Sequence, residues 1–310
     1  LAAKLVKAGG TRKFRLEGSL RDRKWYQAWL TYDAQTSKLT LGKAILDPGL
    51  KSEDQIGSST DYAFESVSQE IPFLIGAQFS GPIDSHFNGK LEAPMIFSRS
   101  LDQQEIEQAF SGKIPDGLLA RWDFSREIPT SRMIDLGPEN LEGYLVNCPA
   151  RGMTGSCWNG KEMCWRHAPE DYGAIHFHED DIYDFGWDTD FTIHLGEDLR
   201  SGIYAVKLEC EGNEDFIPLF ILPARGKRKA DLCVLVSTFT YTVYGNHARP
   251  DFKDHWRERI RDWNAYPHNP ADFRHYGLST YNFHSDNSGI CYASAQRPVS
   301  YTHLTLPTKA

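Results

Sequence analysis

The stretch that decides the fold of the first half of the chain reads Phe87-Asn-Gly-Lys-Leu-Glu-Ala-Pro-Met-Ile-Phe-Ser-Arg-Ser-Leu-Asp-Gln-Gln-Glu-Ile106. Its first part, Lys90–Phe97, is rich in apolar residues and predicts a β-strand. Its second part predicts a short helix over residues 102–110, because Asp102 and Glu105 have the spacing of a capping box. A strand therefore leads directly into a short acidic helix.

Alternating apolar and polar residues on both sides of this stretch predict further short strands. Trp25–Asp33 and Leu39–Leu41 flank a polar turn and predict a hairpin. Two more strand candidates are Pro72–Gly76 and Gly117–Phe124. Many short strands at regular spacing indicate a β-sandwich over residues 1–150.

This order of elements resembles the laminin-G or concanavalin-like jelly roll. In that fold a strand bearing Phe-x-Gly-Lys precedes an Arg-x-Leu and a short acidic helix, and here Phe87-Asn-Gly-Lys90 and Arg99-Ser-Leu101 occupy those places. The resemblance implies a jelly-roll sandwich and, by itself, no activity.

The composition disfavours two classes of partner. The 310 residues include 34 Lys and Arg against 42 Asp and Glu, a formal charge of -8. Phosphate backbones require clustered basic residues, so nucleic acid is not an expected partner. Apolar runs fall well short of the roughly 20 residues that span a bilayer, so we expect no membrane segment in this region.

The six cysteines show no C-x-x-C pair and no zinc-site spacing, so we expect separate, reduced thiols and a cytoplasmic protein. Cys233 lies in an apolar run, and we expect it to be a small buried residue.

The second half of the chain contains two further regions, each with a different predicted fold class. Residues 151–225 predict a small immunoglobulin-like β module, with three strands at Asp190–Leu195, Ser201–Cys210 and Asp215–Leu222. A Pro, Gly and basic run at 223–229 then marks a linker.

After this linker, the continuous apolar run Leu232–Val236 predicts a buried parallel strand, and the helical spacing of Asp251–Trp263 predicts a helix. Residues 230–298 are therefore expected to begin an α/β domain.

Two segments of this region are dense in side chains that coordinate or transfer protons. Ser237–His247 is expected to be a loop after the parallel strand, where open α/β sheets bind ligands. Tyr266–Gly289 is long and has little periodicity, which is typical of a functional loop.

These two segments, together with His167–Trp187, resemble the large subunit of N,N-dimethylformamidase, and the resemblance extends to Pro298. It implies a multidomain, mainly β chain in which the jelly roll and the immunoglobulin-like module lead into a glutamine-amidotransferase-like α/β domain. It also implies hydrolysis of dimethylformamide, or of a similar small amide, to formate and dimethylamine. The implied partner is the small subunit of a hetero-oligomer.

The family's active site holds a mononuclear ferric ion, Fe³⁺, with two tyrosines and a glutamate. The resemblance implies Tyr241 and Tyr281 as the two phenolate ligands, with Tyr244 as the nearest rival. A phenolate is a hard oxygen donor, and a bound cation can lower the pKa of a phenol well below about 10. The glutamate is expected downstream of this chain.

Four further side chains near these tyrosines are candidates for a part in the reaction. We expect His247 and His284 to handle protons. We expect Asn246 and Asp286, with Tyr244, to contact the substrate or to orient the iron ligands.

A separate histidine motif, Ile175-His-Phe-His178, is followed by Glu179, Asp180 and Asp181. Residues two apart on a strand share a face, so these side chains could hold a divalent metal ion. Because the resemblance places the iron elsewhere, a hydrogen-bonded structural cluster near a domain junction is favoured.

The two ends of the chain indicate an internal fragment. The chain starts at Leu1 without an initiator methionine, and residues 299–310 resemble translated sequencing-adaptor sequence. We therefore expect the fragment alone to be inactive.

The alternative function is a carbohydrate-binding β-sandwich protein in which the α/β part is a non-catalytic scaffold. Glutamine amidotransferase activity is disfavoured, because no cysteine occupies a sharp strand-to-helix turn.

Overall fold

The computed structural model describes residues 1–7, 10–60, 72–79, 83–196, 198–226, 231–248 and 269–299, with His255 and Glu258. The described chain is mainly β, with several small antiparallel sheets and few helices. Within these residues, no helix combines the length and the apolar character that a membrane crossing requires.

The N-terminal part consists of a hairpin and a three-stranded antiparallel sheet. The strands are β1 (Ala2–Lys7), β2 (Gly10–Arg15), β3 (Tyr26–Asp33), β4 (Lys38–Ile45) and β5 (Gln55–Ser59). β1 pairs with β2, and the larger sheet has the order β3-β4-β5 with a 3-10 helix at Pro48–Glu53 before β5. The pairing of β3 with β4 confirms the predicted hairpin.

One tight contact holds this sheet together and connects it to the first helix. A Cβ atom at Gly42 of β4 would lie 2.1 Å from ring carbons of Trp29 on β3, so only glycine fits there. The Trp29 ring also meets Phe110 edge-on, with centroids 6.2 Å apart. The sheet and the helix thus share an aromatic contact.

The segment that decides the fold forms two strands and a helix. The elements between residues 78 and 144 are β6 (Gln78–Phe79), β7 (Ile83–Asp84), β8 (Gly89–Glu92), β9 (Met95–Phe97), α1 (Gln103–Phe110), β10 (Leu118–Asp123), β11 (Arg132–Asp135) and β12 (Gly143–Tyr144). β9 to β12 form a four-stranded sheet in the order β12-β11-β10-β9.

Of three elements predicted in this region, one is confirmed, one is interrupted and one is wrong. The helix is confirmed with its capping box, since the Asp102 carboxylate accepts from the Glu105 N–H at 2.8 Å. The single predicted strand 90–97 is interrupted, because Ala93 has φ 44° and Pro94 has no N–H to donate. The strand predicted at 72–76 is wrong: these residues form no strand and end at Gly76 with φ 87°.

The main core lies between two sheets. β13 (Ala150–Met153) and β14 (Ala174–Phe177), the latter preceded by a 3-10 helix at Pro169–Tyr172, pair with β8 in the order β13-β14-β8. Buried side chains of β10 and β11 pack with those of β14 and of the turn after β10: Ala120, Trp122, Phe124, Met133 and Ile175. The domain limit predicted at residue 150 stays a prediction. β14, which follows that limit, pairs with β8, which precedes it.

A buried arginine fixes the turns at the edge of this core. The Arg151 side chain on β13 donates to five backbone carbonyl groups, those of Phe124, Arg126, Glu127, Thr130 and Arg132, at 2.8–3.1 Å. These carbonyl groups belong to the connection between β10 and β11. One guanidinium therefore donates to several carbonyl groups of this turn and of the start of β11 at once.

The C-terminal part contains less regular structure than the sequence predicts. β15 (Gly202–Cys210) and β16 (Asn213–Ile221) form a hairpin, which confirms two of the three predicted strands. The third, at 190–195, is wrong, because these residues have no strand structure. The remaining elements are α2 (Thr238–Tyr244) and a 3-10 helix at Pro270–Tyr276.

The parallel strand predicted at 232–236 is also wrong. These residues have no regular structure, and Leu235 is 94% exposed. A strand needs a neighbour for its backbone hydrogen bonds, and the described part of the chain places none beside it. For the same reason Cys233 is exposed rather than buried, although all six cysteines are free thiols, as predicted.

The predicted loop 237–247 contains α2 instead. The helix predicted at 251–263 lies outside the described residues except for His255 and Glu258, and so do residues 300–310.

We predict that Arg151→Met lowers the free energy of unfolding by at least about 3 kcal/mol, because several buried carbonyl groups lose their donor at once. Chemical denaturation measures this change. The matched control is Arg126→Met, since the Arg126 side chain is 63% exposed and makes one surface ion pair with Asp123. Equal effects of the two substitutions would show that Arg151 does not hold the turn.

Candidate functional site

Ionisable side chains from two distant segments meet at the end of β14. One segment is 176–181 and the other is 284–286, and each contains a histidine followed two residues later by a second ligand-type side chain. We call the group the His–Asp cluster: His176, His178, Asp180, Asp181, His284 and Asp286.

The strand pairing of β14 buries the histidines. Ala174 and Ile175 are fully buried, His176 is 9% exposed and His178 is 5% exposed. The His176 and His178 rings have centroids 4.1 Å apart, which confirms that the two side chains share a face. The His284 ring stacks on His178 with centroids 3.6 Å apart and an interplanar angle of 5°.

Carboxylates and a serine orient two of these rings. Nδ1 of His284 lies 2.6 Å from Oδ1 of Asp180, and Nε2 of His178 lies 2.8 Å from Oγ of Ser288. The other nitrogens face a single carboxylate: Nδ1 of His178 is 3.3 Å, and Nε2 of His284 is 3.8 Å, from Oδ1 of Asp181. The rings are therefore held in defined orientations.

The remaining histidine of the cluster, His176, pairs with Asp286. Nε2 of His176 lies 2.9 Å from Oδ2 of Asp286. Burial, and then the charge of His178, lower the pKa of His176 below 6.5, although Asp286 opposes this. Burial works to raise the pKa of Asp286, but the Ser288 hydrogen bonds and the two histidines outweigh it and lower the pKa to about 2. The pair thus favours a neutral imidazole beside an ionised carboxylate.

Two tyrosines and a histidine form a second group. Tyr244 at the end of α2 stacks on Tyr281, with ring centroids 4.3 Å apart, and we call these two residues the tyrosine pair. A side-chain hydrogen bond with Tyr281, and then its charge, raise the pKa of Tyr244 above 10. The His247 ring stands edge-on to both, at 6.1 Å from Tyr244 and 6.4 Å from Tyr281. Two phenol groups are therefore held in contact beside an imidazole.

The buried Arg297 guanidinium builds the frame of the tyrosine pair. It is 3% exposed, and burial lowers its pKa to about 10. Its donors reach four carbonyl groups at 2.5–3.0 Å, those of Thr242, Gly245, Gly277 and Leu278. The end of α2 is thereby bound to the segment that carries Tyr281.

Asn246 and Ser279 reinforce this frame. The Asn246 amide donates to the carbonyl groups of Gly277 at 2.9 Å and Pro298 at 2.7 Å, and Ser279 Oγ donates to the Val243 carbonyl at 2.7 Å. Asn246 adopts φ 61°, a conformation that asparagine tolerates.

Gly277 joins the two groups. It has φ 78°, and a Cβ atom there would lie 2.6 Å from Ile182 Cγ2, next to Asp181. A small cavity beside Gly277 is lined by residues of the His–Asp cluster and of the frame of the tyrosine pair, including Asp181, His284 and Arg297. The His–Asp cluster and the frame of the tyrosine pair are therefore neighbours.

The structure distributes the predicted site residues over these two groups. Tyr281 contacts Tyr244, the alternative ligand candidate. The Tyr241 ring lies instead beside Phe220 of β16, with ring centroids 6.3 Å apart. His247 lies beside the tyrosine pair, and His284 and Asp286 lie in the His–Asp cluster. The ligand pair Tyr241 and Tyr281 stays a prediction, as do the roles of the other residues.

Sequence reasoning missed two features of the site. It treated His176 and His178 apart from His284 and Asp286, although both motifs place ligand-type side chains at i and i+2, and this repeated spacing was a usable signal. It did not select Arg297, whose role depends on four carbonyl groups that are distant in sequence and carry no side-chain signal.

Comparisons with known proteins identify relatives for this architecture. A family model described as N,N-dimethylformamidase beta subunit-like, C-terminal, matches residues 150–304, which include both groups. The N,N-dimethylformamidase beta subunit of Paracoccus aminophilus is 38% identical over 226 residues, 69% of this chain and 30% of the relative. The N,N-dimethylformamidase beta subunit of Alcaligenes sp is 33% identical over 301 residues, 89% of this chain. The chain spans 40% of that second relative's length.

The lowered pKa of His176 predicts a pH dependence of stability. Below pH 6.5 the unfolded chain binds a proton at this histidine that the folded chain resists, so the free energy of unfolding falls as the pH falls. In His176→Gln this slope becomes smaller, by up to about 1.4 kcal/mol per pH unit. Urea unfolding between about pH 5.5 and 7.5 measures the slope.

The control for this measurement is His86→Gln, because His86 is exposed on the segment before β8. It should keep the wild-type slope. An unchanged slope in His176→Gln would contradict the burial of a neutral imidazole.

Proposed function

The chain belongs to the N,N-dimethylformamidase beta subunit family, and from this premise we propose that it is part of an amide hydrolase. The substrate that we propose is N,N-dimethylformamide or a similar small amide, cleaved to formate and dimethylamine. The observation that carries the proposal is the tyrosine pair, because it lies within the segment that matches the family model and presents two phenol groups in contact.

We propose that the tyrosine pair holds a ferric ion. The donor set fits this ion, because phenol oxygens are hard ligands and a side-chain hydrogen bond joins the hydroxyl groups of Tyr244 and Tyr281. Each phenolate disfavours its neighbour when no cation is near, as the raised pKa of Tyr244 indicates, and a trivalent cation reverses this effect. The contact favours Tyr244 over Tyr241 as the partner of Tyr281, and we assign no third ligand from this chain.

The reaction adds water to the amide carbonyl carbon and breaks the C–N bond, and the amine leaves with a proton. A bound ferric ion supplies the Lewis acidity that polarises the carbonyl group. His247 stands beside both tyrosines, and we propose that it takes the proton of the attacking water and returns it to the amine nitrogen. The Asn246 side-chain amide donates to two carbonyl groups. These hydrogen bonds fix Asn246 and so position the adjacent residue, His247.

We further propose a partner subunit and a cytoplasmic location. The curated relatives are named as beta subunits, which supports an enzyme of more than one kind of chain. All six cysteines are free, which suits a reducing compartment.

We predict that Tyr281→Phe and Tyr244→Phe each weaken and shift the tyrosinate-to-iron charge-transfer band and lower kcat/KM by at least about 100-fold, because each loses one of the two phenolate ligands. The protein co-expressed with its partner subunit is measured by visible absorption and by formate release from dimethylformamide. Tyr144→Phe is the matched control, since Tyr144 is 66% exposed. If both variants leave the band unchanged and keep the activity, the proposal fails.

Tyr241→Phe decides between the two possible ligand pairs. We expect this variant to leave the band unchanged. If Tyr241→Phe weakens and shifts the band while Tyr244→Phe leaves it unchanged, the pair is Tyr241 and Tyr281, and our assignment of Tyr244 is wrong.

A further inference from the structure

Two imidazole nitrogens and a carboxylate converge in the His–Asp cluster. Nδ1 of His178 and Nε2 of His284 lie 3.3 Å and 3.8 Å from the same oxygen of Asp181. The ligand atoms of these three residues all lie within 4.8 Å of one another. A tetrahedral ion with ligand bonds of about 2.1 Å separates its ligand atoms by about 3.4 Å. The spacing suits such an ion once the stacked His178 and His284 rings tilt apart, so that the lone pairs of both nitrogens converge on it.

The opposite nitrogen of each ring is already held by another side chain. Oδ1 of Asp180 lies 2.6 Å from Nδ1 of His284, and Ser288 Oγ lies 2.8 Å from Nε2 of His178. Metal-binding histidines characteristically make such a contact through their second nitrogen, because it sets the ring orientation and the tautomer. A hydrogen-bonded structural cluster alone does not require both inner nitrogens to face one carboxylate.

The carboxylates of Asp180 and Asp181 are largely shielded from solvent. The side chains of Asp180 and Asp181 are 7% and 14% exposed, respectively. Arg274 approaches Asp180 from 3.7 Å and is 42% exposed, and Asp181 accepts from the backbone N–H of His178 at 3.0 Å besides its contacts with the His178 and His284 rings. Buried carboxylates are costly unless a cation or hydrogen bonds compensate them. A dication between the rings would provide this compensation.

We propose that His178, Asp181 and His284 bind a divalent first-row transition metal ion, with Zn²⁺ as the representative. Two imidazole nitrogens and one carboxylate oxygen suit this class of ion and leave an open position. The adjoining cavity, lined by Asp181 and His284, gives that position access to a small ligand such as water. The ion fastens the end of β14 to the segment that follows the tyrosine pair. This proposal is independent of the amide hydrolase and of its iron.

A second set overlaps the first and is less suited to an ion. His176, His178 and Asp286 also have ligand atoms within 4.8 Å of one another. This set would use Nε2 of His178, which is 2.8 Å from Ser288 but 3.9 Å from Asp286. Asp286 in turn accepts two hydrogen bonds from Ser288, at 2.6 Å and 2.9 Å. The competing contacts therefore favour the set with Asp181 and His284.

The test uses Co²⁺ as a spectroscopic probe for the purified chain after chelator treatment. We expect one equivalent of Co²⁺ to produce visible d–d absorption, Zn²⁺ to displace it, and either ion to raise Tm by several degrees. His284→Gln and Asp181→Asn should lose the absorption. Asp180→Asn, which removes only the orienting carboxylate, should weaken Co²⁺ binding by about 10–100-fold. His86→Gln is the matched control and should bind as the wild type does.

Two outcomes would overturn the proposal. One is no absorption and no rise in Tm in the wild type. The other is absorption that persists in a folded His284→Gln variant, and a loss in His176→Gln beside it would place the ion in the overlapping set. Circular dichroism establishes whether each variant is folded. If the ligand variants do not fold, the Co²⁺ affinity of Asp180→Asn tests the proposal. Tyr281→Phe should leave Co²⁺ binding unchanged, so this test and that of the iron site fail separately.

Discussion

The candidate site depends on one interaction, the hydrogen bonds from the buried guanidinium of Arg297 to the backbone. The last carbonyl groups of a helix have no partner within the helix, and here those of Thr242 and Gly245 accept from Arg297. The same side chain satisfies Gly277 and Leu278, which precede Tyr281. Because a guanidinium has a planar, fixed set of donors, it also sets the distance between the two segments. The contact of Tyr244 with Tyr281 follows from that distance.

A second buried arginine plays the same part in the β region. Arg151 satisfies five carbonyl groups of the connection between β10 and β11, at the edge of the core that contains Trp122 and Ile175. β14, the strand of Ile175, then delivers His176 and His178 to the His–Asp cluster. In both regions, irregular backbone is held by arginine donors rather than by strand pairing. The chain can thus place functional side chains on irregular segments without losing their geometry.

The two groups differ in ligand chemistry although they are neighbours. The tyrosine pair offers phenol oxygens, which suit a hard trivalent cation, and the His–Asp cluster offers imidazole nitrogens with a carboxylate, which suit a divalent transition ion. Gly277, which has no side chain to separate them, contacts both Ile182 and Arg297. The segment that matches the family model contains both groups and this connection.

Local sequence patterns predict several of the secondary-structure elements, and the resemblance identifies the family. The capping box of α1, the hairpin of β3 and β4 and the hairpin of β15 and β16 depend on residues that are close in the chain, so periodicity and turn residues predict them. The resemblance of 167–187 and of the tyrosine segments identified the family without any structural information. The tyrosines themselves were selected from this resemblance.

Which side chains meet depends on long-range packing, which local patterns do not reveal. The apolar run at 232–236 indicated a buried strand, but burial depends on neighbours that periodicity does not reveal, and Leu235 is exposed. Nor did the sequence indicate that Tyr244 contacts Tyr281, or that His284 stacks on His178 across more than a hundred residues. These contacts arise because Arg297 and β14 bring distant backbone segments together, through carbonyl groups that every residue has and that therefore leave no signal in the sequence.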